Sequence, residues 1–174
     1  MQFCGENGIL TARLGGETLR IEPWGKDSLR VRATRFSKFT DQDWALIETP
    51  EKCQAVVEIG EEDHWVGDGT IDKKEIASIT NGRIKAVVNF RGIITYYRDG
   101  KQFLREYFRF YDGTLCKESR CLKVVNREWK GVIGGSEYQL NVKFESNDGE
   151  KIFGMGQYHP TLTALSVSPS RICL

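Results

Sequence analysis

Residues 81–100 read NGRIKAVVNFRGIITYYRDG, and this stretch decides the fold class. The turn dipeptides Asn81-Gly82 and Asp99-Gly100 bound it, and such dipeptides beside strand-like runs are strong short-range signals of a β-hairpin. Between them, residues 84–90 place an apolar side chain at every second position, and residues 92–98 are rich in β-branched and aromatic side chains. A period of two is typical of β-strands. The stretch therefore predicts consecutive antiparallel strands in the middle of a sheet.

The same period of two recurs on both sides of this stretch. It predicts further strands, separated by turns that contain glycine, aspartate or asparagine, over residues 8–14, 18–24, 28–34, 54–59, 75–80, 102–111 and 138–145. About ten short strands with short connections are typical of an antiparallel β-sandwich, so we predict an all-β fold.

Alternation also predicts which side chains face solvent. Arg20, Arg30 and Arg32 alternate with apolar neighbours, so we interpret them as surface residues rather than ligands. By the same rule, the inward-facing residues of the last predicted strand are Tyr138, Leu140, Val142 and Phe144.

Three stretches break the strand pattern. In residues 36–50, Thr40 and Asp43 resemble a helix capping box, which leaves open a short helix or an extended loop that carries Trp44. Residues 61–63 read EED and are interpreted as a solvated acidic loop, because three carboxylates alone are weak evidence for a cation site. Residues 112–135 are predicted to be less regular.

Composition and charge argue against several classes of protein. The 174 residues are 40% hydrophobic and carry a net charge of +1, which suits one globular domain and gives no broad case for nucleic acid or anionic lipid. No apolar run approaches the ~20 residues of a membrane helix, and we expect no signal peptide at the start. We therefore expect a cytoplasmic protein that binds neither nucleic acid nor a membrane.

Chemistry-bearing residues form no catalytic motif. Since their number is odd and their spacing irregular, we predict reduced thiols, without zinc or another cofactor, for Cys4, Cys53, Cys116, Cys121 and Cys173. The two histidines, His64 and His159, are far apart, and the sequence contains no nucleophile motif, phosphate-binding loop or zinc signature. The residues alone therefore predict no catalytic residue.

Residues 150–158 read EKIFGMGQY, which is similar to a signature of glycoside hydrolase family 31, the family of α-glucosidases and α-xylosidases. Two further segments carry the resemblance. LRIEPWG at 19–25, which leads into LRVR at 29–32, resembles the first long strands of that family, and residues 81–83 and 98–101 resemble its central hairpins. The resemblance covers residues 8–158 and identifies the N-terminal domain of the family.

The resemblance implies a galactose-mutarotase-like β-sandwich over residues 1–158. In the family this domain precedes a (β/α)8 barrel, which holds the catalytic aspartates and hydrolyses α-glucosides or α-xylosides with retention. The barrel motifs do not occur in this sequence, so the resemblance implies a non-catalytic domain whose partner is the barrel. The backbone freedom of Gly154 and Gly156, with apolar Phe153 and Tyr158 beside them, predicts the interface with that barrel.

Residues 159–174 read HPTLTALSVSPSRICL and depart from the family pattern. We hypothesise a disordered or non-native tail, as in a truncated or out-of-frame product. Two other functions stay open. A stand-alone carbohydrate-binding module would stack a sugar on Trp44, Trp65 or Trp129, and an aldose epimerase, which shares the fold type, would use the histidines. An isolated domain would also expose the apolar face that meets the barrel, which predicts self-association.

Overall fold

The structure is a computed structural model that describes residues 1–36, 38–40, 53–66, 69–109, 124–135, 138–147 and 149. Within these ranges lie eleven strands: β1 (Gln2–Glu6), β2 (Ile9–Leu14), β3 (Glu17–Pro23), β4 (Leu29–Arg35), β5 (Val56–Val66), β6 (Thr70–Asn81), β7 (Ile84–Val88), β8 (Ile94–Arg98), β9 (Lys101–Arg105), β10 (Arg127–Gly131) and β11 (Tyr138–Val142). All pairings between them are antiparallel, which confirms the predicted all-β class. The described part of the chain contains no helix long and apolar enough to cross a membrane.

Two sheets make up the sandwich. The first has the order β1-β2-β3-β4 and the second has the order β5-β6-β7-β8-β9, while β10 and β11 form a separate pair. Residues after β11 run along β9, where the Tyr107 amide donates to the Lys143 carbonyl at 2.8 Å and the Glu145 amide donates to the Arg105 carbonyl at 2.8 Å. The β10–β11 pair is thereby joined to the edge of the second sheet.

The core fills the space between the two sheets. Its buried residues come from alternate positions of five strands: Leu10, Ala12, Leu19, Ile21, Ala77, Ile79, Ala86, Val88 and Ile94. Residues two positions apart on a strand lie on the same face, so the apolar residues that alternate in the sequence all face this core. The stretch 81–100 indeed supplies β7 and β8, which lie inside the second sheet.

Two-residue turns fix the register of neighbouring strands. Asn7-Gly8, Gly15-Gly16 and Asp99-Gly100 each have positive φ at both positions, the geometry that matches the natural twist of a hairpin. Asn81, by contrast, is the last residue of β6 and pairs with Ile84.

The side chain of Asn81 links the two sheets. It is buried, and its amide donates to the carbonyls of Gly25 and Ser28 at 2.7 Å each. Both carbonyls belong to the connection between β3 and β4, so one side chain of the second sheet satisfies two backbone acceptors of the first.

Residues 61–63 lie inside β5, so their interpretation as a loop was wrong. Glu62 pairs with Lys74 and Asp63 with Lys73 on β6. Opposite charges that face each other across two strands stabilise the pairing, and this compensates for the poor strand propensity of the carboxylates. The sequence pattern also missed β1 and β10, and β9 is shorter than predicted.

The expectation that the first-sheet arginines face solvent was also wrong. Arg20, Arg30 and Arg32 are half-buried around the buried carboxylate of Glu22, which lies 3.2 Å from Arg20 and 2.8 Å from Arg32. Residues 39–40 lie against this face, because the Thr40 carbonyl accepts a hydrogen bond from Arg32 at 3.1 Å and the Phe39 ring lies 5.2 Å from the Arg32 guanidinium. The chain after β4 therefore shields these charges.

The expected inward set of the last strand was wrong for three of four residues. Tyr138, Val142 and Phe144 are exposed, and Leu140 is half-buried. Alternation predicts that two faces differ, but it does not predict whether another layer covers the apolar one.

Several expectations concern residues outside the described ranges. These are Trp44, the Thr40–Asp43 capping pair as a whole, the boundary at residue 158 and the tail 159–174.

Candidate docking site at one end of the sandwich

A cavity of about 410 Å³ opens at one end of the sandwich, and we name it the end cavity. The β2–β3 turn, the β7–β8 connection and the segment before β10 meet there. Its apolar walls are formed by Met1, Ala12, Leu14, Leu19, Phe90 and Phe108.

The β7–β8 connection owes its shape to Asn89. The Oδ1 atom of Asn89 accepts hydrogen bonds from the amides of Arg91 and Ile93 at 3.0 Å each. Asparagine commonly organises turns in this way, because its side chain imitates a backbone carbonyl. The turn places Phe90 and Arg91 at the cavity.

The polar floor of the cavity is formed by Glu17, Asn126 and Arg127, and Arg127 makes an ion pair with Glu106. The side chains of Arg127 and Glu106 are only 6% and 2% exposed. The Nη1 atom of Arg127 donates to both carboxylate oxygens of Glu106 at 2.6 Å. The carboxylate also accepts from the Ile94 amide at 3.0 Å and from the Asn126 side chain at 2.6 Å. Several hydrogen bonds thus compensate for the removal of this charge from water.

The same guanidinium reaches the first sheet. Its Nε atom donates to one oxygen of Glu17, and the Trp129 indole donates to the other oxygen at 2.9 Å. The Nη2 atom of Arg127 donates to the Gly92 carbonyl at 2.6 Å. We call Glu17, Glu106, Asn126, Arg127 and Trp129 the Arg127 network. It connects the first sheet, the second sheet and β10.

The pKa shifts in and beside the Arg127 network indicate that it stabilises the fold rather than forms a reactive centre. Burial alone would lower the pKa of Arg127, but the carboxylates of Glu106 and Glu17 raise that pKa above its ordinary value. Burial, and then the charge of Glu106, raises the pKa of the neighbouring Tyr96 hydroxyl far above its usual range. Arg127 therefore stays charged and Tyr96 stays neutral near neutral pH.

The rim of the end cavity is aromatic and cationic. The Arg91 guanidinium lies 5.0 Å from the Phe90 ring centre and 5.9 Å from that of Phe108, distances typical of cation–π contacts. The Leu14 side chain is exposed beside them. The end cavity suits the docking of another chain segment. Its wall is apolar, its rim is aromatic, and the charged groups of its floor form hydrogen bonds with one another.

The predicted interface residues Phe153, Gly154, Gly156 and Tyr158 lie outside the described residues. The same holds for Trp44 and His159, two residues of the alternative hypotheses.

The structure separates the remaining candidates. Trp129 belongs to the Arg127 network and packs edge-on against Tyr138 at 6.3 Å between ring centres. His64, on β5, packs against Phe90 at 4.8 Å. The epimerase hypothesis, which needs a second histidine, therefore stays an untested prediction.

Trp65 lies on the long hairpin of β5 and β6. The pairing of β7 with β6 covers only Ala77–Asn81 of β6. Residues 61–66 of β5 and 70–75 of β6 therefore pair with each other alone among the described strands, and we call these two segments the β5–β6 arm. Trp65 and Ile71 face each other across the arm and are 67% and 62% exposed. The opposite face of the arm carries His64, which contacts the body of the domain.

The described residues offer no group of three or more histidine, cysteine, aspartate or glutamate side chains that could hold a metal ion. Cys4 and Cys53 are free thiols.

The Arg127 network was not predicted from the sequence. Glu17 and Arg127 are 110 residues apart, and no periodic pattern connects them. The one sequence feature that could have indicated the network is that Glu106 and Arg127 are charged residues beside apolar and aromatic neighbours. That feature is too common to predict a buried ion pair.

Comparisons with known proteins agree with this architecture. No protein-family model matches the chain. A protein from Pseudescherichia vulneris, named an uncharacterized family 31 glucosidase, is 39% identical over 155 residues, which cover 84% of this chain and 26% of that protein. The crystal structure of a family 31 α-xylosidase from a soil metagenome, complexed with xylose, matches with 36% identity and a TM-score of 0.69. That match covers 91% of this chain and 22% of the α-xylosidase.

The chain thus spans about a quarter of the length of these relatives. The chain is therefore similar to the N-terminal β-sandwich domain of glycoside hydrolase family 31 proteins.

Proposed function

We propose that this domain supports the catalytic portion of a family 31 α-glycosidase without supplying catalytic residues itself. The observation that carries the proposal is the match of 91% of this chain to only 22% of an α-xylosidase. The buried charges of the domain are engaged with one another in the Arg127 network, which suits a structural role. The whole protein would hydrolyse α-xylosides or α-glucosides with retention, through carboxylates of its catalytic portion.

The contact with the catalytic portion would use two parts of this chain. The first is the segment with Phe153, Gly154, Gly156 and Tyr158. The second is the exposed apolar surface around the end cavity. The same surface would let isolated copies of the chain self-associate. The free thiols of Cys4 and Cys53 support a cytoplasmic location.

A chimaera tests this function. In it, the aligned quarter of the soil-metagenome α-xylosidase is replaced by this chain. We expect the chimaera to be soluble and to hydrolyse p-nitrophenyl α-xyloside within about tenfold of the parent kcat/KM, since tenfold corresponds to only about 1.4 kcal/mol of activation free energy. The control carries an unrelated β-sandwich of equal length. An inactive chimaera, or a control as active as the chimaera, would contradict the proposal, and so would hydrolysis by this chain alone.

Carbohydrate binding is the second candidate, because Trp65 presents an exposed indole on a paired strand. An aromatic face on a rigid strand can stack on a sugar ring, and the indole has two rotatable bonds to restrain. We expect weak calorimetric binding of a xylose-containing oligosaccharide that Trp65→Ala abolishes. Phe103→Ala, which removes an exposed aromatic ring of β9, is the matched control. If the oligosaccharide gives no heat at millimolar concentration, this candidate is discarded.

A further inference from the structure

The lining of the end cavity indicates what occupies it. We propose that the end cavity receives an apolar or aromatic side chain from the part of the family 31 polypeptide beyond this chain, and that it is not a sugar subsite. The inference rests on the proposed function and adds to it the place and the chemistry of the contact.

The floor of the cavity has little to offer a polar ligand. Arg127 donates to Glu17, Glu106 and the Gly92 carbonyl. The second oxygen of Glu17 already accepts from Trp129, and the amide nitrogen of Asn126 donates to Glu106 and to Gly92. A sugar hydroxyl would have to break these buried hydrogen bonds, which is unfavourable when a charged group loses its partner.

The walls suit an apolar occupant. Leu14, Leu19, Phe90 and Phe108 form most of the wall, and Leu14 is exposed although it belongs to the core face of β2. An apolar side chain that entered the cavity would remove these walls from water, which is the main driving force for docking. At the rim, the Arg91 guanidinium lies near the Phe90 and Phe108 rings, so an occupant would meet aromatic surface there.

The length of the relatives indicates which polypeptide supplies the side chain that occupies the cavity. About three quarters of each relative lies outside the part that this chain matches. A domain that folds around an apolar cavity at one end leaves a surface for that remaining polypeptide to cover. We therefore assign the occupant to the larger polypeptide rather than to a second copy or to a free metabolite.

Indole is the probe for the cavity itself. We expect ligand-observed NMR to detect indole binding to the isolated chain, whereas xylose at the same concentration should give no signal. Leu14→Trp places a larger ring at the mouth and should weaken indole binding at least tenfold. Since Leu14 is exposed, this variant should fold. Phe103→Trp, an exposed site away from the cavity lining, should bind indole like the unmodified chain.

Three outcomes would overturn the assignment. The first is that xylose binds and indole does not. The second is that Leu14→Trp and Phe103→Trp bind indole equally well. The third is that indole binds only after Phe153→Ala, which would make a side chain of this chain the occupant.

The chimaera identifies the partner. With Leu14→Trp we expect its activity to fall at least tenfold or its assembly to fail, whereas Phe103→Trp should preserve both. If the chimaera without substitutions is inactive, the proposed function fails. If that chimaera is active and Leu14→Trp does not change its activity or assembly, the cavity assignment alone fails.

Discussion

Replacing Arg127 with leucine is expected to lower the free energy of unfolding by about 3–5 kcal/mol, the range found when one partner of a buried ion pair is removed. The carboxylate of Glu106, which is 2% exposed, would lose its counter-charge and two hydrogen bonds. Glu17 would lose its bond to Arg127 as well. The protein would have to hydrate these carboxylates by opening the end of the sandwich.

Urea unfolding measures this effect, and two variants make it specific. The double variant Arg127→Leu with Glu106→Leu should recover much of the loss, because neither charge is then left unpaired. Arg83→Leu removes an exposed arginine, paired with Asp99, and should leave the unfolding midpoint nearly unchanged. If Arg127→Leu shifted the midpoint no more than Arg83→Leu, the network would not fasten the sheets.

Replacing Ile79 with alanine is expected to cost about 2–5 kcal/mol, because the side chain is fully buried between the sheets and its removal leaves a cavity. Ile71 provides a matched comparison. It is eight positions earlier on the same strand and on the same face, but it is 62% exposed in the β5–β6 arm. Ile71→Ala should therefore change stability by no more than about 0.5 kcal/mol.

The two isoleucine variants are compared by urea and thermal unfolding of the same preparation. Because both variants remove the same atoms, the difference between their losses of stability measures the effect of the layer that covers Ile79. Equal losses would mean that the arm is covered by another part of the chain. A small loss for both would mean that the two sheets do not enclose a close-packed core.

The sequence predicted β7, β8 and the turn after β8 well, because their signals are local. Asp99-Gly100 adopts the expected turn, and residues 84–88 place Ala86 and Val88 in the core as the alternation required. A turn depends on the φ preferences of two residues, and a strand face depends on neighbours two positions away. Such features can be predicted without knowledge of the rest of the chain.

The failures share another physical origin. Glu62 and Asp63 lie in a strand opposite lysines of β6, and Arg32 is shielded because residues 39–40 lie against it. Both outcomes depend on segments distant in sequence or on an additional layer. The Arg127 network depends on three such segments, and for this reason no pattern along the chain could reveal it.

The resemblance to family 31 was recognised from residues 150–158, which lie outside the described residues, and the comparisons confirm that resemblance. A short signature carries evolutionary information that folding physics does not supply. The end cavity, by contrast, was located by the structure and by neither the signature nor the strand pattern.

The Arg127 network also has a kinetic consequence. Its links to Glu17 join residues 110 and 112 positions apart, whereas the hairpins of both sheets close over a few residues. Long-range contacts close slowly, because a large loop must be ordered before the contact forms. The network should therefore form after the rate-limiting step of folding, so that its strength determines how long the folded domain survives rather than how quickly it is made.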